Sequence, residues 1–94
     1  MDTTATDSVR VWLVERTYGD DEQNLIILTY ATPDGERYLR KERALTSFTG
    51  AARETKAALD VAPDDLARTP PEDREYFADA AGRTAERHDP DDAV

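Results

Sequence analysis

The chain has 94 residues, enough for one small domain, and carries 12 Lys and Arg against 21 Asp and Glu, a net charge of −9. This charge disfavours duplex DNA and anionic membranes as partners. The lack of cysteine excludes disulfides and thiolate metal sites. The longest apolar run, residues 25–28, is far shorter than the ~20 residues of a membrane span, and the polar residues 1–7 are unlike a signal peptide. We therefore expect a soluble, cytoplasmic protein.

Three stretches predict β-strands. Residues 9–18 (VRVWLVERTY), 24–31 (NLIILTYA) and 36–43 (ERYLRKER) are rich in β-branched, aromatic and aliphatic side chains. A polar turn at 19–23 separates the first two. The turn at 32–35 contains Pro33 and Gly35, an order that predicts a type I turn followed by a bulge. Two successive hairpins make an antiparallel meander.

The middle of the chain is open to two interpretations. The alanine content of residues 51–59 favours a helix. The alternation of Thr55, Ala57, Leu59 and Val61 with polar or small residues favours a strand. We expect a fourth strand at 54–61, followed by a short helical turn at 63–66.

The last element is predicted to be a helix. The sequence Thr69-Pro70-Pro71-Glu72 fits a capping box with Thr69 as N-cap. The helix should end near residues 89–90, where Asp precedes Pro. One face of it carries residues at helical spacing: Phe77, Ala80, Ala81, Thr84 and His88.

These elements predict an α+β fold, an antiparallel sheet of three or four strands with a C-terminal helix packed on one face. We expect one domain over residues 9–88, a disordered tail at 1–8 and a frayed acidic tail at 89–94.

A simple register places three aromatic residues in one row. If Tyr18 pairs with Asn24, and Thr32 with Glu36, one sheet face carries Trp12, Tyr30 and Tyr38, with Arg10, Arg16 and Arg40 beside them. The other face is aliphatic and would receive the helix. The aromatic face would then need residues 44–61, a second copy of the chain or a ligand to cover it. A slip of one residue in either turn would break the row.

This surface has three readings. It can be core, or a protein interface, since Trp, Tyr and Arg dominate binding hot spots. It can also be a platform that stacks the bases of single-stranded nucleic acid. The third strand adds a basic cluster, which binds an anionic partner or only deters aggregation at a sheet edge. The interface candidates are Trp12, Tyr30, Tyr38, Arg10, Arg16, Arg37, Arg40, Lys41 and Arg43.

Little in the sequence indicates catalysis. His88 is the only histidine, and a single histidine without cysteine makes a poor transition-metal site. Nothing places a nucleophile or an acid beside it, and no glycine-rich phosphate loop occurs. We expect no catalytic residue, no metal and no cofactor.

The composition favours a salt-rich environment. Ten of the basic residues are Arg and thirteen of the acids are Asp, and concentrated salt screens the self-repulsion of such a surface. An acidic domain from a GC-rich genome is the alternative. The stretches VRVWLVERTY, LTYATPDGERYLRKE and AERHDPDDAV resemble an uncharacterised family of small acidic haloarchaeal proteins. The resemblance implies a salt-rich cytoplasm, but neither an activity nor catalytic residues.

The function that these observations favour is a small, non-enzymatic, cytoplasmic protein-interaction or regulatory module. Its partner would be an unknown protein or a second copy of the chain. The alternative is an RNA or single-stranded nucleic-acid binder that uses the same residues.

Overall fold

A computed structural model describes residues 8–18, 25–44 and 55–94. In this part the chain forms a five-stranded antiparallel sheet and one C-terminal α-helix, α1, Arg74–Arg87. The α+β class is confirmed, with five strands rather than three or four. The sheet order is β4-β1-β2-β3-β5. The strands are β1 Val9–Tyr18, β2 Leu25–Ala31, β3 Arg37–Ala44, β4 Ala58–Val61 and β5 Ala67–Arg68.

Most predicted elements occur, and some lie outside the described residues. Strand β1 has the predicted bounds, and 3₁₀ turns occupy Pro63–Asp65 and Pro71–Asp73. The expected strand at 54–61 is realised as the shorter β4. The predicted turn at 19–23 and residues 1–7 of the predicted tail lie outside the described ranges. No helix among the described residues is long and apolar enough to cross a membrane.

The predicted register is wrong by at least one residue in both hairpins. Tyr30 pairs with Leu13 and Leu39 instead of Trp12 and Tyr38. In the first pair the register shifts again between Leu13 and Glu15, which makes a β-bulge at Val14. Because successive side chains alternate between faces, the slip moves Tyr30 to the face opposite Trp12 and Tyr38.

The second turn explains the slip between β2 and β3. The turn is one residue longer than predicted, since the Thr32 N–H donates to the Arg37 carbonyl at 3.0 Å. An Asp34 carboxylate oxygen stabilises this longer turn. It accepts one hydrogen bond from the Thr32 hydroxyl at 2.6 Å and another from the Glu36 N–H at 2.9 Å. Side-chain bonds of this kind are typical of Asp in turns, but they are not visible in an apolar pattern.

The main core lies on the sheet face that carries Tyr30. Its buried members are Val11, Leu13, Ile26, Leu28 and Tyr30. Partly buried apolar side chains pack against this cluster, among them Leu39, Leu59, Leu66 and Val94. The Tyr30 hydroxyl donates to the Lys56 carbonyl at 2.8 Å, which satisfies its polar end inside the core.

Helix α1 packs on the opposite face from the one predicted. It covers the face of Trp12, Ala31 and Tyr38, which are neighbours across β1, β2 and β3. Phe77 meets Tyr38 edge to face, with ring centroids 5.8 Å apart. The Thr84 hydroxyl donates to the Leu13 carbonyl at 2.7 Å, beside the bulge. The predicted inward face is correct, since Ala80 and Ala81 are both buried.

The predicted capping box does not form. The 3₁₀ turn precedes α1, and Asp73 occupies the N-cap position without a side-chain cap bond. Thr69 is 1% exposed, and its backbone N–H donates to the Glu36 carbonyl at 2.9 Å. No described residue forms a hydrogen bond with its hydroxyl. Thr69 is therefore buried beside the β2–β3 turn and does not cap helix α1.

The C-terminal segment is bonded to the rest of the chain, although residues 89–94 are predicted to fray. The Ala57 N–H donates to the Asp92 carbonyl and the Val94 N–H to the Thr55 carbonyl, both at 2.8 Å. Lys56 and Ala93 form an isolated antiparallel bridge. Residues 90–94 thus extend the structure around the start of β4.

Two glycine substitutions should have opposite effects. Gly35 has φ +75°, and a Cβ there would meet the Arg74 carbonyl oxygen and lie 2.8 Å from the Ala78 nitrogen. Gly35→Ala should lower the free energy of unfolding by more than about 2 kcal/mol. Gly82 lies in α1, and beyond the adjoining helix backbone and its two chain neighbours no described atom lies within 4 Å of such a Cβ. Gly82→Ala should raise it by about 0.5–1 kcal/mol. Urea unfolding measures both, and a neutral Gly35→Ala would contradict the close approach.

Two threonine substitutions test the orphaned hydroxyl. Thr69→Val should stabilise the protein by about 1 kcal/mol, because an unpaired buried hydroxyl is removed. Thr32→Val is the matched control, since that hydroxyl bonds Asp34 and also accepts the Arg37 N–H. It should destabilise by about 1–2 kcal/mol. Thermal unfolding of both variants decides the matter, and a destabilised Thr69→Val would show that this hydroxyl has a partner.

Candidate functional site

The structure does not assemble the predicted aromatic row. Tyr30 is 1% exposed and belongs to the core. Trp12 and Tyr38 are half-buried on the face that α1 covers, separated by Ala31. The three aromatic rings therefore do not share a surface.

The predicted basic residues lie in different surroundings. The Arg10 guanidinium donates two hydrogen bonds to the Asp60 carboxylate, at 2.8 and 3.1 Å. This contact lowers the pKa of the Asp60 carboxyl. Arg16 donates to the Val94 backbone oxygen at 2.8 Å. Arg40 lies 3.5 Å from Glu42 in an exposed pair. Lys41 is also exposed. The Arg43 side chain lies outside the described part of the structure.

Arg37 belongs to a different cluster. A cleft of about 480 Å³ lies where β3, β5 and the start of α1 meet. Three arginines from these three elements line it: Arg37, Arg68 and Arg74. The remaining lining residues are Glu36, Pro63, Leu66 and Ala67. We call this feature the arginine cleft.

Among the described residues, no acid forms an ion pair with an arginine of the cleft. Arg37 and Arg68 are direct cross-strand neighbours, a like-charge arrangement that destabilises a sheet. Within the described ranges, the ion pairs join Arg10 to Asp60, Arg40 to Glu42, Lys56 to Asp91 and His88 to Asp92. None of them includes an arginine of the cleft. Among the described lining residues, Glu36 is the one acid beside three arginines, so their net charge is +2.

A second cleft shows the contrast. It measures about 350 Å³ and lies beside β4, where its lining includes Arg10, Lys56, Asp60 and Asp91. Both of its cations are paired with acids of the same lining. Its charges are internally balanced, whereas those of the arginine cleft are not.

The β2–β3 turn positions the backbone of Arg37, which lines the arginine cleft. The Thr32 hydroxyl accepts the Arg37 N–H at 3.2 Å, while it donates to Asp34. Those hydrogen bonds, from the Thr32 hydroxyl and the Glu36 N–H, hold the pKa of Asp34 below its usual value, with a smaller contribution from the charge of Arg37. The turn therefore fixes the backbone of Arg37 and also places a carboxylate near its charge.

Sequence reasoning found one of the three arginines. Arg68 lies in a two-residue strand without periodicity, and Arg74 starts a helix whose predicted start lay earlier, at Thr69. They follow Arg37 by 31 and 37 residues along the chain. A local pattern does not reveal their convergence, which depends on β5 pairing with the start of β3.

His88 is the C-cap residue of α1, and its Nδ1 lies 3.8 Å from an Asp92 carboxylate oxygen. In the described part of the chain, no three His, Cys, Asp or Glu side chains are grouped so as to hold a metal ion. His88 is half-buried at the helix end.

Comparison with known families gives a match over nearly the whole chain. Residues 5–94 match a family described as "Family of unknown function (DUF7967)". The chain belongs to this family. Comparison with curated proteins and with solved structures finds no match. The match confirms the expected membership of an uncharacterised family, and the family description names no activity.

Substitution of Asp34 should change the pH dependence of stability. Its pKa is lower in the folded state, so its contribution is complete above the unfolded pKa of about 4 and is lost as pH falls through the folded pKa. Asp34→Asn should be less stable than the parent at pH 7, and the difference should shrink on acidification below pH ~4. Asp79→Asn, at an exposed position in α1, is the control. Thermal unfolding across pH would contradict this if the difference stayed constant.

Proposed function

We propose that this protein is a small, non-enzymatic interaction module that binds an acidic segment of a protein partner along strand β3. The observation that carries the proposal is the incomplete pairing of that strand. Strand β5 pairs only with Arg37 and Tyr38. Among the described residues, no strand pairs with the outer edge of residues 39–44. Such an edge can accept an extended peptide as an additional strand.

The charge of this edge favours an acidic partner. Arg40 and Lys41 are exposed on successive positions, so they flank both faces of the strand. Glu42 pairs with Arg40 at 3.5 Å, but both side chains are more than half exposed and such pairs contribute little. Pairing of two copies through the same edge would bring like charges together. The edge therefore favours a different, acidic chain over a second copy.

The alternative function, binding of RNA or single-stranded nucleic acid, retains the basic edge but loses its aromatic platform. Tyr30 is in the core, and α1 lies over the face of Trp12 and Tyr38. The large exposed apolar side chains of the described residues are Tyr18 and Tyr76, on β1 and α1. Stacking of successive bases requires neighbouring aromatic surfaces. For this reason we favour the protein partner.

The proposed setting is the salt-rich cytoplasm of a haloarchaeal host. The excess of Arg over Lys and of Asp over Glu supports it, together with the resemblance described above. In molar salt the Debye length is about 3 Å, so exposed charges steer partners weakly. Backbone hydrogen bonds of an added strand persist there, because they do not depend on long-range charge attraction. Strand addition therefore suits this setting.

Affinity isolation of the tagged protein from its native host, in molar KCl, tests the proposal. The parent chain should retain a stoichiometric protein. The double variant Arg40→Glu/Lys41→Glu should lose most of that protein, because it places carboxylates against the acidic segment at contact distances comparable to the Debye length of about 3 Å, where salt screens their repulsion only in part. The matched control is Arg83→Glu/Arg87→Glu, which makes the same charge change at exposed positions of α1. It should retain the partner.

The other outcomes decide against the proposal. Retention of the same protein by both double variants would exclude the β3 edge. Elution of the chain alone would remove the partner. Co-elution of RNA that is lost after nuclease treatment, with no stoichiometric protein, would support the nucleic-acid alternative. Circular dichroism of each variant confirms that it is folded before the comparison is made.

A further inference from the structure

We propose, independently of strand addition, that the arginine cleft binds the phosphate group of a small phosphorylated molecule. Three arginines, one each from β3, β5 and α1, line the cleft, and none of them forms an ion pair with a described residue. Its volume of about 480 Å³ suits a metabolite-sized ligand.

The number of donors favours phosphate over carboxylate. Each guanidinium offers five N–H donors in a planar fork that matches paired oxygens. Three such groups exceed what the two oxygens of a carboxylate accept in bidentate contacts, whereas a phosphate monoester presents three terminal oxygens. The ester carries about −1.5 to −2 charges at pH 7. This charge matches the net +2 of the lining.

The rest of the lining indicates an organic ligand. Pro63 and Leu66 are half-buried and, with Ala67, give the cleft an apolar wall beside the three cations. Glu36 supplies an acceptor for a hydroxyl group. A phosphorylated sugar presents a phosphate, carbon surface and hydroxyl groups together, so it uses every part of this lining.

Bound phosphate also relieves a cost in the free protein. Arg37 and Arg68 lie directly opposite each other across two strands, where like charges repel. In the cleft beside β4, the protein supplies its own acids for the same purpose. An anion between the arginines would take the place of those acids, and the occupied protein should be more stable than the free one.

Titration of ¹⁵N-labelled protein, followed by the arginine Nε–H signals, tests this inference. Ribose 5-phosphate is the probe, and KCl holds the ionic strength constant at the lowest concentration that keeps the amide spectrum folded. We expect saturable shifts with ribose 5-phosphate and none with ribose. Inorganic phosphate separates the sources. Equal affinity would identify free phosphate as the ligand, and weaker affinity would identify a phosphate ester. Both results support a phosphate site.

Matched variants locate the site. Arg68→Gln and Arg74→Gln should each weaken binding by about tenfold, the loss typical of one charge-assisted hydrogen bond. Arg83→Gln, on the far part of α1, should leave the affinity unchanged. The absence of saturable shifts up to about 10 mM ribose 5-phosphate would overturn the inference. Equally tight binding of malate would overturn it, and so would equal affinity of the Arg68→Gln, Arg74→Gln and Arg83→Gln variants.

Discussion

The close approach of Gly35 to helix α1 sets the arrangement of the rest of the molecule. A Cβ at this position would meet backbone atoms of Arg74 and Ala78, so the first turns of the helix lie directly on the β2–β3 turn. With the helix in this position, the Phe77 ring contacts the Tyr38 ring and Arg74 lines the arginine cleft. The helix then crosses toward β1, where Thr84 bonds the Leu13 carbonyl at the bulge. The lack of a side chain at Gly35 therefore permits the contact between the turn and the helix, and with it the position of Arg74 in the lining of the arginine cleft.

The cations of this acidic chain fall into two groups. Near β4, Arg10 and Lys56 are paired with Asp60 and Asp91. These pairs are exposed, so each contributes little to stability, but together they neutralise that side. Near β3 and β5 the arginines of the cleft have no such partners in the described ranges. The chain has an excess of acids, yet none of the described acids forms an ion pair with these arginines, and this difference in pairing is the basis of the proposed anion site.

The strands and the helix were accessible to sequence reasoning because each carries a strong local signal. Strand β1 repeats apolar and β-branched residues over its full length, and α1 shows Phe77, Ala80 and Ala81 at helical spacing. The register was not accessible. It depends on the hydrogen bonds of Asp34 in the turn and on the bulge at Val14, which moved Tyr30 into the core. The candidate site was not accessible either, because the two-residue strand β5 carries no sequence pattern and reaches the cleft through its pairing with β3.

The placement of β4 has a consequence for the order in which the chain folds. Strands β1, β2 and β3 are neighbours in sequence and pair through short connections, so they close small loops. Strand β4 pairs with β1 across about fifty residues, and residues 55–58 also bond to residues 90–94. Those partners meet only after most of the chain has been synthesised and the meander exists to receive them. A ribosome-bound chain that has emerged only as far as β3 would therefore form the two hairpins of β1, β2 and β3 before the edge strands β4 and β5 join the sheet.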